Sequence, residues 1–244
     1  MKKILFIAAT HGDEGFSVDI MRQVSKQYPK NVFGYDWIVG NPKAYARGVR
    51  FIDTDLNRSA PGFSKSPNYE TRRAKEIVEL SREYEYVIDI HGTISDLGIV
   101  TIVTNPTVRN LCFACILPIA KRVIWYSKKS LLSGPLTQFI TSPAIELECG
   151  PKDSPKIRKE LIKTIGKILE NIQNRKLEKV FPRLDDERDF YVVYGPQKET
   201  ISGLSDFKKT RVGDEIFYPL LSYQYKNIDC YKMRKVPFNN YFLY

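Results

Sequence analysis

This chain contains only two histidines, and both stand where a short apolar run ends: His11 in IAATHGDEGF and His91 in VIDIHGT. Glu14 follows His11 by three residues, so one tight loop can present an imidazole nitrogen and a carboxylate oxygen together. Catalytic zinc sites commonly take three protein ligands of these kinds and keep a fourth position for water. A third ligand from a neighbouring strand end fits the rule that sites in α/β sheets form beyond the carboxyl ends of strands. Asp89 lies two residues before His91 and shares its face if the strand continues, where it can hold the imidazole from behind. On these residues alone the alternative is two satisfied structural histidines and an incidental Glu14, and H-x-x-E by itself does not choose.

Two further stretches bear on that choice. GNPKAYARGVRFIDTDLNRS contains Arg50 and the pair Asn57-Arg58, and AIELECGP contains Glu146 and Glu148, two apart on a predicted strand and hence on one face. In isolation the first reads more readily as a solvated polar loop. Together, HGDE, NPKA, RFIDTDLNR, DIHGT and ECGP, with YETRRAKEI after the third, occur in the order that resembles the succinylglutamate desuccinylase/aspartoacylase family of zinc-carboxypeptidase-like hydrolases. The resemblance spans roughly residues 4 to 152 in scattered blocks.

That resemblance implies one zinc ion per chain, held by His11, Glu14 and His91. It implies Glu148 as the general base that takes a proton from water and passes it to the leaving nitrogen, with Glu146 as its competitor for the role. It implies Arg50 as the cation that polarises the scissile carbonyl, and Asn57 and Arg58 as the clamp on a substrate carboxylate. The family also uses a tyrosine near its C-terminal end, and PFNNYFLY offers Tyr241. Where aspartoacylases carry an arginine for an acidic substrate side chain, about ten residues before the base, this chain has Gln138. The implied activity is removal of an N-acyl group from an amino acid or similar carboxylate-bearing amine. A zinc carboxypeptidase would use the same residues, and a non-enzymatic anion- or nucleic-acid-binding protein could keep the fold.

Elements that would position these residues are legible as well. KKILFIAAT, GYDWIVGN, YEYVIDIHG, LGIVTIVTN, RVIWYS and SPAIELECG read as strands, several of them apolar on both faces as buried sheets require. Helical spacing covers Gly15 to Tyr28, Tyr69 to Glu83 and the stretch from Asp153 to Lys176. In the last, Ile157, Leu161, Ile165, Ile168 and Ile172 form one stripe and the lysines point away. Ser154-Pro155 fits a cap and first-turn pair there. After about residue 178 the chain turns to Tyr-, Phe- and Val-rich runs between turn residues. The expected architecture is a mixed α/β sheet flanked by helices over residues 1–178, with a small all-β C-terminal subdomain over 179–244.

Composition narrows the setting. With 43% apolar and 27% charged residues, 244 residues can bury a substantial core. No apolar run approaches the roughly 18 residues that span a bilayer, and MKKILFIAAT reads as a first strand because Asp13 and Glu14 follow where a cleavage site would need small residues. The four cysteines, including Cys112 and Cys115 on an apolar helix, show no disulfide pattern and suit a reducing, cytoplasmic setting. The net charge of +10 has no nucleic-acid recognition motif beside it, and serves equally to draw small anions such as an N-acyl amino acid. A homo-oligomer is compatible with all of this.

Overall fold

A computed structural model describes residues 2–126, 132–173 and 189–237. The elements run β1 (Lys2–Ala8), α1 (Phe16–Gln27), α2 (Lys30–Phe33), β2 (Tyr35–Val39), α3 (Pro42–Arg47), α4 (Tyr69–Leu80), β3 (Tyr84–Gly92), β4 (Gly98–Val103), α5 (Val108–Ile116), β5 (Arg122–Ile124), α6 (Leu136–Phe139), β6 (Ala144–Gly150), α7 (Pro155–Gln173), β7 (Asp189–Gln197), β8 (Thr210–Val212), β9 (Glu215–Leu220) and β10 (Cys230–Pro237). All ten strands join one sheet in the order β2-β1-β3-β6-β4-β5-β7-β10-β9-β8. β1, β2, β3 and β6 run parallel, whereas β4 pairs antiparallel with β6 and parallel with β5.

The alternation of β1 shows why this strand lies mid-sheet. Ile4, Phe6 and Ala8 enter one core with α1 and α7, while Leu5 and Ile7 enter a second core with Ile77 and Val78 of α4. A strand that buries both faces needs the continuous apolar run its sequence shows. Helix α7 buries the predicted stripe Ile157, Leu161, Ile165, Ile168 and Ile172 and exposes Lys156, Lys159, Lys163 and Lys167. Its Gly166 allows close packing on the end of α1: a Cβ there would stand 2.2 Å from the Tyr28 hydroxyl. The Ser154 hydroxyl accepts from Ile157 N at 3.4 Å, a long cap bond.

The β-rich stretch is joined to the sheet rather than hung from it. β7 pairs in parallel with β5, and Leu220, Leu221 and Met233 pack on Leu97, Val100, Ile102 and Val123. The expected boundary near residue 178 falls outside the described residues. None of the described helices is long and apolar enough to cross a membrane.

Candidate metal centre and active site

Three parallel strands, β1, β3 and β6, end side by side and deliver the charged groups. Beyond β1 the chain turns sharply: Ala9 takes a left-handed φ of 51°, and its N–H donates to the Ser17 hydroxyl at 2.8 Å. Gly12 then passes so close to α3 that a Cβ would lie 2.2 Å from the Ala44 carbonyl carbon, so the glycine of HGDE is a steric requirement. Its N–H donates to the Arg50 carbonyl at 3.1 Å, tying the two polar motifs together.

His11 Nδ1 lies 2.8 Å from Glu14 Oε1, and His91 Nδ1 lies 3.5 Å from Glu14 Oε2, which also accepts from Gly92 N at 3.0 Å. One ligand atom from each of His11, Glu14 and His91 lies within 4.8 Å of the others, and all three residues are buried. Behind them, His91 Nε2 is 3.0 Å from Asp89 Oδ2 and His11 Nε2 is 3.2 Å from Asp55 Oδ1. Although that close, Asp89 Oδ2 and His91 Nε2 form no well-aligned hydrogen bond, whereas Asp89 Oδ1 accepts from the Thr10 hydroxyl at 2.7 Å. In His91, with Nδ1 left to donate its lone pair, Nε2 carries the proton and faces the Asp89 carboxylate. Two imidazole nitrogens, each with a carboxylate behind its ring, and the Glu14 carboxylate make a donor set that fits zinc. Asp89, His91 and Glu146 form a second close group, but Asp89 is fully buried and outside the cleft lining, so the first group is the one open to substrate.

Burial alone raises the Glu14 carboxyl, but bonds to His11 and His91 hold it far below the usual carboxylate range. The imidazoles respond in kind. Burial alone would lower both, yet Asp55 and Glu14 raise His11, and Asp89 and Glu14 raise His91.

Cross-strand register distinguishes the two glutamates. Glu148 pairs with His91, and Glu146 pairs with Asp89, one pleat further from the strand end. Burial, against the opposing pull of His91, pushes Glu148 up to about 8; a dication held beside it would pull the other way. Glu146 accepts from the Asn57 amide at 3.0 Å, and the Asn57 oxygen accepts from Leu136 N at 3.0 Å. Asn57 thus bridges its own turn (Leu56–Arg58) to β6 and α6, with one amide hydrogen left to offer.

Arg50 and Arg58 reach the cleft from one loop. The Arg50 guanidinium stands 2.9 Å from His11 Nε2 and donates to Asp55 Oδ2 at 3.3 Å, while Arg58 donates to the Asn57 carbonyl at 2.7 Å and is otherwise exposed. The loop is held from below by buried Glu70 of α4, whose carboxylate accepts from Ile52 N, Asp53 N, Thr54 N and the Asn41 amide. Those four bonds more than offset burial and lower its pKa.

His11, Glu14, His91, Glu146, Glu148, Arg50, Asn57 and Arg58 border a cleft of about 260 Å³, together with Gln138, Trp125, Leu221, Gln224, Tyr225 and Tyr231. Tyr241 lies outside the described residues. Tyr225 lines the cleft near Glu148, Arg50 and Arg58; burial, then the Glu148 charge, push its phenol up to about 12, so it remains a donor. Neither Tyr225 nor Trp125 announces itself in sequence, because apolar and aromatic residues are frequent throughout that part of the chain. Asp55 lies inside RFIDTDLNR, and its contact with His11 emerges only when the loop folds back.

The succinylglutamate desuccinylase/aspartoacylase catalytic domain matches residues 1–173. The chain belongs to this family. Within the family it is similar to a probable aspartoacylase of Prochlorococcus marinus subsp. pastoris (strain CCMP1986 / NIES-2087 / MED4), 37% identical over 125 residues that cover 48% of this chain and 42% of that protein. An N-acyl-aromatic-L-amino acid amidohydrolase (carboxylate-forming) of Xenopus laevis is 32% identical over 111 residues, covering 40% and 36%. The matched stretch thus spans less than half the length of these relatives. Murine aminoacylase 3 superposes with a TM-score of 0.71 over 96% of this chain and 95% of that one, at 20% identity. Succinylglutamate desuccinylase from Chromobacterium violaceum gives 0.68 over 97% and 84%, at 15% identity. This desuccinylase/aspartoacylase family member therefore shares their mixed α/β fold, including the C-terminal strands.

Proposed function

We propose that this chain is a zinc-dependent amidohydrolase that removes the acyl group from an N-acyl amino acid or similar carboxylate-bearing amine. The observation that carries the reading is the convergence of His11, Glu14 and His91 at one strand edge with Glu148 paired directly to His91. Zinc bound by those three residues, one ion per chain, supplies a Lewis acid and a lowered pKa for water.

The rest follows from the chain's own groups. Arg58 binds the substrate carboxylate, to which its planar guanidinium can offer two parallel hydrogen bonds. Asn57 fixes the turn that carries Arg58 and adds its remaining amide hydrogen. Arg50 faces the scissile carbonyl oxygen and stabilises the negative charge that develops there. Glu148 accepts a proton from the attacking water as the new C–O bond forms. It returns that proton to the nitrogen as the C–N bond breaks, leaving a carboxylate and a free amine. Residues 1–178 carry this chemistry, and Leu221, Gln224, Tyr225 and Tyr231 of the C-terminal part complete the cleft lining. The four cysteines are free, which fits the cytoplasmic placement we propose with it.

The purified chain is expected to hold about one zinc and to hydrolyse N-acyl amino acids, and the His11→Ala, His91→Ala double variant to lose the metal. Full zinc occupancy in that variant would sink the metal assignment. Release of C-terminal residues from peptides, with no action on N-acyl amino acids, would make the chain a carboxypeptidase instead.

A further inference from the structure

Leu221, Gln224 and Tyr225 border the cleft from one turn between β9 and β10. Beside them the Tyr231 ring meets Tyr225 edge-on at 5.8 Å and lies 4.4 Å from the Trp125 ring. The turn is strained: Leu221 and Tyr223 take left-handed φ values of 57° and 59°, and Phe207, packed nearby, takes 62°. Residues with side chains hold that conformation only where the surroundings fix it, and such positions gather at functional sites.

Much of the fixing comes from Asp206, which does not itself border the cleft. Its Oδ1 accepts from Ser222 N at 2.9 Å and from the Ser222 hydroxyl at 2.6 Å, between the two strained residues. Its Oδ2 accepts from the Ser95 hydroxyl. Ser95 belongs to the loop after β3, just past His91 and past Thr93 of the cleft lining. Ser95 N donates to the Thr93 hydroxyl oxygen at 3.1 Å, and that hydroxyl donates to Gln224, which closes a ring of bonds across the two segments. Ser95 and Ser222 are both buried. Lys121 braces the same seam: its Nζ donates to the Leu97 carbonyl at 2.6 Å and stands 4.8 Å from the Phe207 ring. Two acceptor oxygens on one carboxylate thus tie the turn that presents Leu221, Gln224 and Tyr225 to the loop that presents Thr93.

We propose that Asp206 is a positioning residue, which locks the 221–225 turn to the loop after β3 and so holds that side of the cleft ready before substrate enters. The proposal rests on the amidohydrolase reading and goes beyond it by making substrate affinity depend on a residue outside the lining. Without the lock, only a fraction of molecules present the binding-competent wall, and apparent affinity falls by that fraction. The proposed zinc ligands and Glu148 are not among the partners of Asp206 described above, so the chemical step is spared.

The test compares Asp206→Ala, Asp206→Asn and Ser95→Ala with the unaltered, zinc-loaded full chain. Steady-state kinetics use whichever of N-acetyl-L-phenylalanine, N-acetyl-L-methionine and N-acetyl-L-aspartate is cleaved best. Asp206→Ala is expected to raise KM about tenfold or more, with kcat within about twofold and zinc at about one per chain. Ser95→Ala, which cuts only the bond across the seam, is expected to raise KM about threefold to fivefold. Asp206→Asn keeps an acceptor for Ser222 and a polar partner for the Ser95 hydroxyl, and is expected to restore KM to within about twofold. A second readout needs no substrate: amide hydrogen exchange in Asp206→Ala should quicken both at 222–225 and at 94–97, while β1 and β3 keep their protection.

An unmoved KM in Asp206→Ala, or faster exchange confined to 222–225, would reduce Asp206 to a local turn bond and overturn the proposal. A fall in kcat to match the rise in KM, or loss of zinc, would overturn it too, by placing the effect at the metal centre. If Asp206→Ala does not fold, Ser95→Ala carries both readouts and the same outcomes decide. Cleavage of none of the three compounds by the unaltered chain counts against the amidohydrolase reading and removes the role in KM with it. The exchange pattern then judges the lock by itself: quickening on both sides of the seam supports it, and quickening on one side refutes it.

Discussion

The cradle at the ends of β1, β3 and β6 and the wall formed by Trp125 with Leu221, Tyr225 and Tyr231 border the same cleft by opposite means. The cradle is a closed network of charges. Glu14 is shared between two histidines, each of which has a second carboxylate behind it, and Glu70 fixes the loop that brings Arg50 and Arg58. Its parts are few and interdependent, because an unpaired buried charge is costly and a metal ligand or proton acceptor must stand within tenths of an ångström. The wall needs only shape and apolar surface, which many residue combinations supply. Chemistry should therefore be brittle to substitution on one side of the cleft, and selectivity adjustable on the other.

The sharpest way to break that contrast is at Glu148. Glu148→Gln keeps size and shape but cannot take the proton. It is expected to retain zinc while kcat falls roughly 100- to 10,000-fold. Glu146→Gln should cost far less, because its bond to Asn57 needs only an acceptor oxygen, which glutamine also has. Zinc content, KM and kcat of both variants on one cleavable N-acyl amino acid decide the matter, and a dead Glu146→Gln beside an active Glu148→Gln would move the base one pleat.

A smaller effect separates the two arginines. Arg50→Ala is expected to lower kcat about 100-fold, as loss of an oxyanion-stabilising group does. Arg58→Ala should instead raise KM, since it removes binding made equally in ground and transition states. Steady-state kinetics that show the same pattern in both would refute the division of labour.

The smallest effect probes the seam between the regions. The Gln224 side-chain oxygen accepts from the Thr93 hydroxyl at 2.6 Å and from Ile94 N at 3.1 Å, linking the C-terminal stretch to the loop after β3. Gln224→Ala is expected to raise KM roughly threefold to tenfold, in line with the loss of about 1 kcal/mol of hydrogen bonding. Zinc content should stay at one per chain. Loss of zinc in that variant would show that cradle and wall are not separable.

Most of the cradle was legible in the chain itself, and for a physical reason. Groups that must meet at one strand edge come as short blocks with tight internal spacing: His11 and Glu14 on one turn, Asp89 and His91 one pleat apart, Glu146 and Glu148 likewise. Local geometry then places each pair together before any tertiary contact forms. The same local logic made the stripe of α7 and the two-faced runs of β1 and β3 readable. Short elements such as α2, α3 and α6 carry too few residues to show a period, and they emerge only in the structure.

Which loop folds against which end of the sheet was decided only in three dimensions. Asp55 reaches His11 across 44 residues of chain, and Thr93 meets Gln224 across 131. No spacing rule links such pairs, since they depend on the strand order that sets β3 between β1 and β6 and brings β7 beside β5. The aromatic lining of the cleft shows the limit most plainly. Among the 15 tyrosines nothing local marks Tyr225. Sequence determined the short charged pairs, because their atoms are close along the chain, and its ordered motifs implied the family's ligand set. Tertiary packing decided the apolar wall, because a hydrophobic surface is specified by what it covers and not by its neighbours in sequence.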